Sequence, residues 1–222
     1  MEIYSKAFTP SDYDTFDDHE YIIEVLQKLQ SNSVPYGWEH PDRKWEYGLT
    51  INALKNNGAV SILEIGGAAS VFAPAAVMSG MDVTQVDLSD TEWAVTKQNE
   101  FLGKQIHINY TDFFNCNIAG EFDAVVCLSV IEHVSDDKVF FDKLLDYIKV
   151  GGLLILTTDF HPDGKPFSTA HHRTYNQESM QVLIDSAKSR GFEPFGLVDY
   201  TYHGGVIYDT YTFASLVLKR IE

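Results

Sequence analysis

Residues Ser61 to Ser89 read SILEIGGAASVFAPAAVMSGMDVTQVDLS. A short apolar run (Ile62, Leu63, Ile65) enters Gly66-Gly67, small residues continue through Ala76, and a second apolar run from Met81 to Val86 closes on Asp87. Strand, glycine turn, helix and strand in this order make the first half of a nucleotide-type βαβ unit. Glycine lets the backbone approach a ligand closely, and a carboxylate 23 residues after Glu64 is placed to accept hydrogen bonds from two ribose hydroxyls. The stretch points to a nucleoside without saying which one.

Outward from that unit, strand-like and helix-like segments alternate. Strands are expected near 61–65, 82–87, 105–109, 123–128 and 152–157, with helices near 71–79, 91–102 and 136–149. Such alternation implies a mostly parallel sheet with helices on both faces. Asn176 to Arg190 reads as a further helix ended by Gly191, and Glu193–Tyr200 and Tyr208–Lys219 as an antiparallel hairpin at the sheet edge. Upstream, residues 1–18 show no clear period, and Tyr21, Ile22, Val25, Leu26 and Leu29 recur at helical spacing. Residues 31–43 read as a loop, and Trp45 to Asn56 resumes a helical pattern. The expected organisation is an N-terminal extension and cap helix over 1–44 and one α/β domain over 45–222.

The 222 residues, 45% of them hydrophobic, suffice to bury one good core. The formal charge of −16 repels phosphate backbones, so nucleic acid is not an expected partner. No apolar run approaches the roughly 18 residues of a membrane span, and the first residues lack a signal-peptide pattern. Cys116 and Cys127 have no metal-ligand spacing, and Cys127 lies in an apolar run as a buried structural thiol would. These features fit a cytoplasmic protein, and no pattern in the chain fixes an oligomeric state.

A dinucleotide-binding turn wants glycine at its first, third and sixth positions, and Gly66, Gly67, Ala68, Ala69, Ser70, Val71 supply only the first. That weakens a nicotinamide-dependent oxidoreductase. By contrast, Glu64-Ile65-Gly66 with its small residues, then Asp87, Asp112-Phe113, Phe122 to Val134 (FDAVVCLSVIEHV) and Gly151-Gly152 before LLILTTD resemble the class I S-adenosylmethionine-dependent methyltransferases. The likeness is greatest to the small-molecule group called type 11, and it covers roughly residues 45 to 219 in the order of elements. It implies a Rossmann-like α/β fold: a seven-stranded, mostly parallel sheet with an antiparallel edge hairpin and helices on both faces.

The resemblance also implies roles. Glu64 would order the glycine turn or the cofactor's amino group, and Gly66, with Gly67 and Ala68, would leave room for the methionine portion. Asp87 would hold the ribose hydroxyls and Leu88 would lie against the adenine. Asp112 would accept from the adenine amino group with Phe113 beside it, and Ser129 and Val130 would line the methionine side. The expected cofactor is S-adenosyl-L-methionine, and the expected partner is a small-molecule acceptor methylated on oxygen or nitrogen. Two positions depart from the family pattern, Ala68 and Ser70, where glycine is usual. Ser70 is placed to cap the next helix, whose first turn holds Pro74. The departures leave open a second reading, an inactive nucleoside-binding or partner module.

For chemistry at the acceptor, His133 stands at the carboxyl edge of the sheet, where it would orient cofactor or take a proton, or else share a helix-capping role with Glu132. His161, His171, His172 and Arg173 lie in the long 159–175 connection, and one of these histidines is the expected general base, with His171 chosen. Arg43 or Lys44 would pair with the methionine carboxylate, and Tyr36, Trp38, Trp45 and Tyr47 are either a cap over the sulfonium or ordinary packing. Tyr200, Tyr202, His203, Tyr208 and Tyr211 around Gly204-Gly205 are either an acceptor wall or sheet packing. Some relatives hold a divalent ion in a Glu-x-x-Glu-His pattern, but Ser129 replaces the first acid, so no metal is expected.

Overall fold

The computed structural model describes residues 2–9, 12, 19–37, 41–67, 69–162, 172–202 and 211–222, with residues 19, 41 and 42 described by backbone alone. Strands β1 (Ile3–Ala7), β2 (Ser61–Ile65), β3 (Asp82–Asp87), β4 (His107–Tyr110), β5 (Phe122–Leu128), β6 (Ile148–Phe160), β7 (Phe192–Pro194), β8 (Leu197–Asp199) and β9 (Thr212–Arg220) form one sheet. Helices α1 (His19–Ser31), α2 (Pro41–Asn57), α3 (Phe72–Met78), α4 (Glu92–Leu102), α5 (Asp137–Leu145) and α6 (Gln177–Lys188) connect and cover it.

Alternation along the central strands produces two cores. Successive strand side chains point to opposite faces, so Ile62, Ala124 and Val126 enter one buried cluster while Leu63, Val125 and Cys127 enter the other. The first cluster is closed by α1 to α4 through residues such as Ile22, Ile51, Ala73 and Val95. The second is closed by α5 and α6 through Phe141 and Met180. Burial on both faces is why the strand sequences read as nearly continuous apolar runs.

The sheet order is β4-β3-β2-β5-β6-β9-β1-β8, with β7 paired to β9. Strands β2 to β6 are parallel to one another, and β9 runs antiparallel to β6. The sheet has nine strands where seven were expected, and the antiparallel pair is not a simple edge hairpin. Strand β7 pairs with the carboxyl end of β9 from Phe192↔Arg220 to Pro194↔Leu218, and the chain then turns at Gly196. Strand β1 takes over the same flank of β9 (Lys6↔Ser215, Ala7↔Ala214), and β8 pairs in parallel with β1. A segment without readable period thus fills the sheet between β8 and β9. Its register is held by side-chain bonds: Ser5 Oγ accepts from Val217 N at 2.9 Å, and Ser215 Oγ donates to the carbonyl of Tyr4 at 2.7 Å.

Other boundaries shift for local reasons. Helix α2 begins at Pro41, inside the expected loop, because proline suits the first helical position. Helix α5 ends at Leu145 and the next strand already starts at Ile148, earlier than the expected 152. Helix α6 starts on a capping box in which Asn176 Oδ1 accepts from Ser179 N at 2.8 Å and the Asn176 backbone N–H donates to Ser179 Oγ at 2.7 Å. Gly191, at φ 80, takes the left-handed turn that follows. Cys127 is fully buried in β5, as an apolar-run thiol should be.

Candidate functional site at the carboxyl ends of the strands

Strand β2 lies between β3 on one side and β5 on the other, so chain order reverses there, and the crevice outside the strand ends at such a reversal is where open α/β sheets bind ligands. A cavity of about 480 Å³ opens at that point, within the range of small-molecule sites. It is lined by Ile65 and Gly66 after β2, Asp87, Leu88 and Ser89 after β3, Thr111 to Phe114 after β4, and Ser129, Val130 and His133 after β5.

The floor of the cavity is the glycine turn, shaped by a buried acid. Glu64 is 2% exposed, its Oε2 accepting from Gln85 Nε2 at 2.7 Å and its Oε1 from Ser70 Oγ at 3.0 Å. Burial pushes this carboxyl up to about 8, against the opposing effect of those two hydrogen bonds. Gly66, at φ 78, is in the left-handed region, and a Cβ there would strike the Val130 side chain. A Cβ on Gly67 would fall 2.6 Å from Glu64 Cγ and nearer still to the carboxyl atoms. Both glycines are therefore required by packing. Ser70 links Glu64 to α3, since its Oγ also accepts from Ala73 N at 3.3 Å, and Pro74 occupies the first turn, where an amide has no intrahelical acceptor.

Around the rim, Asp87 ends β3 and accepts from Ser89 N at 2.6 Å, while Leu88 is 77% exposed. Asp112 accepts from Phe114 N at 2.8 Å and opens a 3-10 turn over 113–115. Phe113 is buried edge-on against Phe140, with centroids 5.4 Å apart. Ser129 has φ 51, an uncommon value for a side chain other than glycine. Its Oγ donates to Glu46 Oε1 at 2.6 Å.

Glu46 opens a second polar region behind the cavity wall. This fully buried α2 residue also accepts from Thr157 Oγ1 at 2.6 Å and from Arg43 at 3.0 Å. The Glu46 carboxylate holds the Arg43 guanidinium firmly charged, and Arg43 also reaches the carbonyl of Leu128 at 3.4 Å. Beyond Glu46 stand Glu132 and Asp159, both buried. Burial raises both carboxyls, and the proximity of Asp159 raises Glu132 further. Asp159 Oδ2 is 2.6 Å from His172 Nε2, and the His172 ring stacks on that of His133 at 5.4 Å. Arg173 pairs with Asp137 at 2.7 Å, and its backbone amide donates to the carbonyl of Glu132 at 2.9 Å, fixing His172 beside the strand ends.

Of the residues expected from sequence, Gly66, Asp87, Leu88, Asp112, Phe113, Ser129, Val130 and His133 share one cavity. Glu64 and Gly67 lie directly beneath it. Ala68 and His171 lie outside the described residues, as do Trp38, His203, Gly204, Gly205 and Tyr208. The capping reading for Glu132 and His133 does not hold: Ile131–His133 is a separate 3-10 turn, and Asp136 caps α5 by accepting from Val139 N. Trp45 packs in the core against Phe8 at 4.5 Å rather than forming a cap, and Arg43 is engaged by Glu46. Tyr200 is buried and donates to the carbonyl of Ser215 at 2.9 Å, the sheet-packing alternative. Glu46 and Asp159 were not identified from sequence. The available signal was an acid between two aromatic residues, Trp45 and Tyr47, and an acid ending the strand read as LLILTTD. Among the described residues no group of three His, Cys, Asp or Glu side chains is arranged to hold a metal ion.

A doubly wound α/β domain with a glycine turn and acids closing successive strands defines a nucleoside-binding class. Residues 63–156 match a family model described as a methyltransferase domain. The chain is 28% identical over 180 residues to a ubiquinone biosynthesis O-methyltransferase of Rickettsia akari (strain Hartford), covering 78% of this chain and 65% of that one. It is 28% identical over 102 residues to a mitochondrial ubiquinone biosynthesis O-methyltransferase of Schizosaccharomyces pombe, covering 44% and 37%. The chain spans about half the length of the curated relatives it matches. Among solved structures, a S-adenosylmethionine-dependent methyltransferase from Clostridium acetobutylicum superposes with a TM-score of 0.60 at 15% identity, covering 91% of this chain and 99% of that one. A magnesium protoporphyrin IX methyltransferase from Synechocystis with bound SAM gives 0.57 at 15% identity, covering 93% and 98%. The methyltransferase-domain match is confined to residues 63–156, and the likeness to the solved S-adenosylmethionine-dependent methyltransferases is one of fold.

Proposed function

We propose that the cavity holds S-adenosyl-L-methionine and that the protein transfers its methyl group to a small-molecule acceptor. The observation that carries this reading is the juxtaposition of the Gly66-Gly67 cradle with the carboxylates of Asp87 and Asp112 around one cavity. In that arrangement Asp87 holds the ribose hydroxyls, Leu88 and Phe113 flank the base, and Asp112 accepts from its amino group. Gly66, Ser129 and Val130 border the methionine portion, and Glu64 holds the turn in shape from below. When bound, this cofactor supplies a methyl group on a sulfonium, already activated for displacement.

What remains for the chain's own residues is to align the acceptor, exclude water and accept a proton where the acceptor carries one. Oxygen and nitrogen are both open as acceptor atoms, and the named activity of the curated relatives favours oxygen. The net charge of −16 supports a metabolite over a nucleic acid. Among the described residues no helix is long and apolar enough to cross a membrane.

The test is calorimetric titration of the protein with S-adenosylmethionine and with its demethylated product, S-adenosylhomocysteine, repeated on Asp87→Ala. Charged hydrogen bonds contribute about 1.5–3 kcal/mol, so micromolar binding that weakens tenfold or more in the variant is expected. Failure of the folded protein to bind either nucleoside would overturn the reading.

A further inference from the structure

Among the described residues, three other than glycine take a positive φ, and two of them, Ala69 (φ 60) and Ser129 (φ 51), belong to turns that meet at Gly66. Ala69 follows Gly66-Gly67, and Ser129 precedes Val130, whose side chain fills the space that a Cβ on Gly66 would need. The left-handed region is costly for a residue with a Cβ. Such residues persist where surrounding contacts over-determine them, a condition concentrated at ligand clamps.

Ser129 is held from α2 through its side chain and its backbone. Its Oγ donates to Glu46 Oε1 at 2.6 Å. Its amide donates to Thr157 Oγ1 at 3.1 Å, and that hydroxyl donates in turn to the same Glu46 oxygen at 2.6 Å. The carbonyl of Leu128, in the same peptide, accepts from Arg43 at 3.4 Å. A buried carboxylate and the guanidinium paired with it thus fix both the N–H and the C=O of the Leu128–Ser129 peptide. Ala69 is held from the segment before α2. Its carbonyl accepts from Gly37 N at 2.5 Å. Gln98 of α4, fully buried, donates to the carbonyls of Pro35 and Ser70 at 3.1 and 3.3 Å, joining that segment to the turn a second time. Both left-handed turns are therefore fastened by residues between 35 and 46, outside the stretch 63–156 that matches the methyltransferase domain.

We infer that Glu46 and Gly37 are positioning residues of the cofactor site, holding the turns at Ser129 and Ala69 in the left-handed form against which the methionine end of the cofactor lies. The inference rests on the S-adenosylmethionine reading above. Neither residue is among those lining the cavity, and each acts through the turn it holds. Without its clasp, a turn that carries a Cβ relaxes out of the left-handed region, so only a fraction of the protein is competent to bind and the affinity falls by that fraction. Glycine occupies the left-handed region without that cost.

The test is calorimetric titration with S-adenosylhomocysteine of four variants, each beside its urea unfolding midpoint: Ser129→Ala, Ser129→Gly, Gly37→Pro, and Gly37→Pro combined with Ala69→Gly. Ser129→Ala loses the clasp and keeps the strain, so its affinity is expected to fall about tenfold. Ser129→Gly loses both and should bind about fivefold more tightly than Ser129→Ala, although it is the more severe truncation. Gly37→Pro removes the donor N–H and should weaken binding about fivefold, with Ala69→Gly in the same chain recovering most of the loss. Equal losses in the two Ser129 variants would assign the hydroxyl to direct contact with the cofactor and overturn the proposal. Lowered unfolding midpoints with unchanged affinity, or a Gly37→Pro loss that Ala69→Gly leaves intact, would overturn it too. If the parent protein binds no S-adenosylhomocysteine, the underlying methyltransferase reading fails instead.

Discussion

Gly67→Ala isolates the packing between the glycine turn and its buried acid. The backbone at Gly67 lies outside the left-handed region, so alanine meets no conformational penalty there. The obstacle is steric: the new methyl would lie 2.6 Å from Glu64 Cγ and closer to Cδ and Oε1. Glu64 cannot swing aside cheaply, because Gln85 and Ser70 hold its two oxygens at 2.7 and 3.0 Å inside the core. Overpacking of this kind costs about 1–3 kcal/mol, and losing two side-chain hydrogen bonds adds about 1 kcal/mol each. The expected loss is about 3–5 kcal/mol, read in urea unfolding as a midpoint lowered by about 1–2 M. The diagnostic comparison is the double-mutant cycle with Glu64→Ala. With the acid's side chain gone the methyl fits, so Gly67→Ala should then cost under about 1 kcal/mol, a coupling of about 2–5 kcal/mol. A Gly67→Ala protein as stable as the parent, or one destabilised equally in both backgrounds, would refute the steric account.

The same acid predicts a pH dependence. The Glu64 carboxyl ionises at about 8 when folded and near its ordinary value of 4.5 when unfolded. Below pH 4.5 both states are protonated, and from there to about 8 only the unfolded chain loses the proton, so stability declines as pH rises through that window. Thermal melts from pH 5 to 8.5 should show that decline in the parent and a flatter curve in Glu64→Gln, while parallel curves would contradict it. Glu46→Ala strands the hydroxyls of Ser129 and Thr157 and uncouples Arg43. With the Arg43 side chain a third exposed, the expected cost by chemical unfolding is about 2–4 kcal/mol. Affinity for S-adenosylhomocysteine should fall with it, because Ser129 forms part of the cavity wall, and an unchanged affinity would show that Glu46 does not position that wall.

Asp112 was reached through the family resemblance, whereas local pattern alone carried the strands from Ser61 to Leu156, the helices between them, and Gly66 and Asp87. Each of these follows from an apolar period, a turn chemistry or a residue at a strand end, and such signals are written within a few neighbours of one another. The helix after β3 and the glycine turn before it needed no distant partner to be recognised. Even Ser70, a departure from the family pattern, had a local clue in its position ahead of α3, and it is the residue that ties Glu64 to that helix.

Tertiary contact decided the rest. Strand β1 carries no clear alternation, and it is a strand because β8 and β9 offer it backbone partners on both sides. The expected edge hairpin was split for the same reason. Glu46 is separated by 83 residues from Ser129 and by 111 from Thr157, and no window of sequence shows that one carboxylate accepts from both. The pairing of Asp159 with His172 likewise arises because the amide of Arg173 is drawn to the carbonyl of Glu132, returning the chain to the strand ends. Sequence determined which face of each element is apolar and where the chain turns. Only the folded chain decided which buried acids meet which bases, because the partners are distant in sequence and neighbours in space.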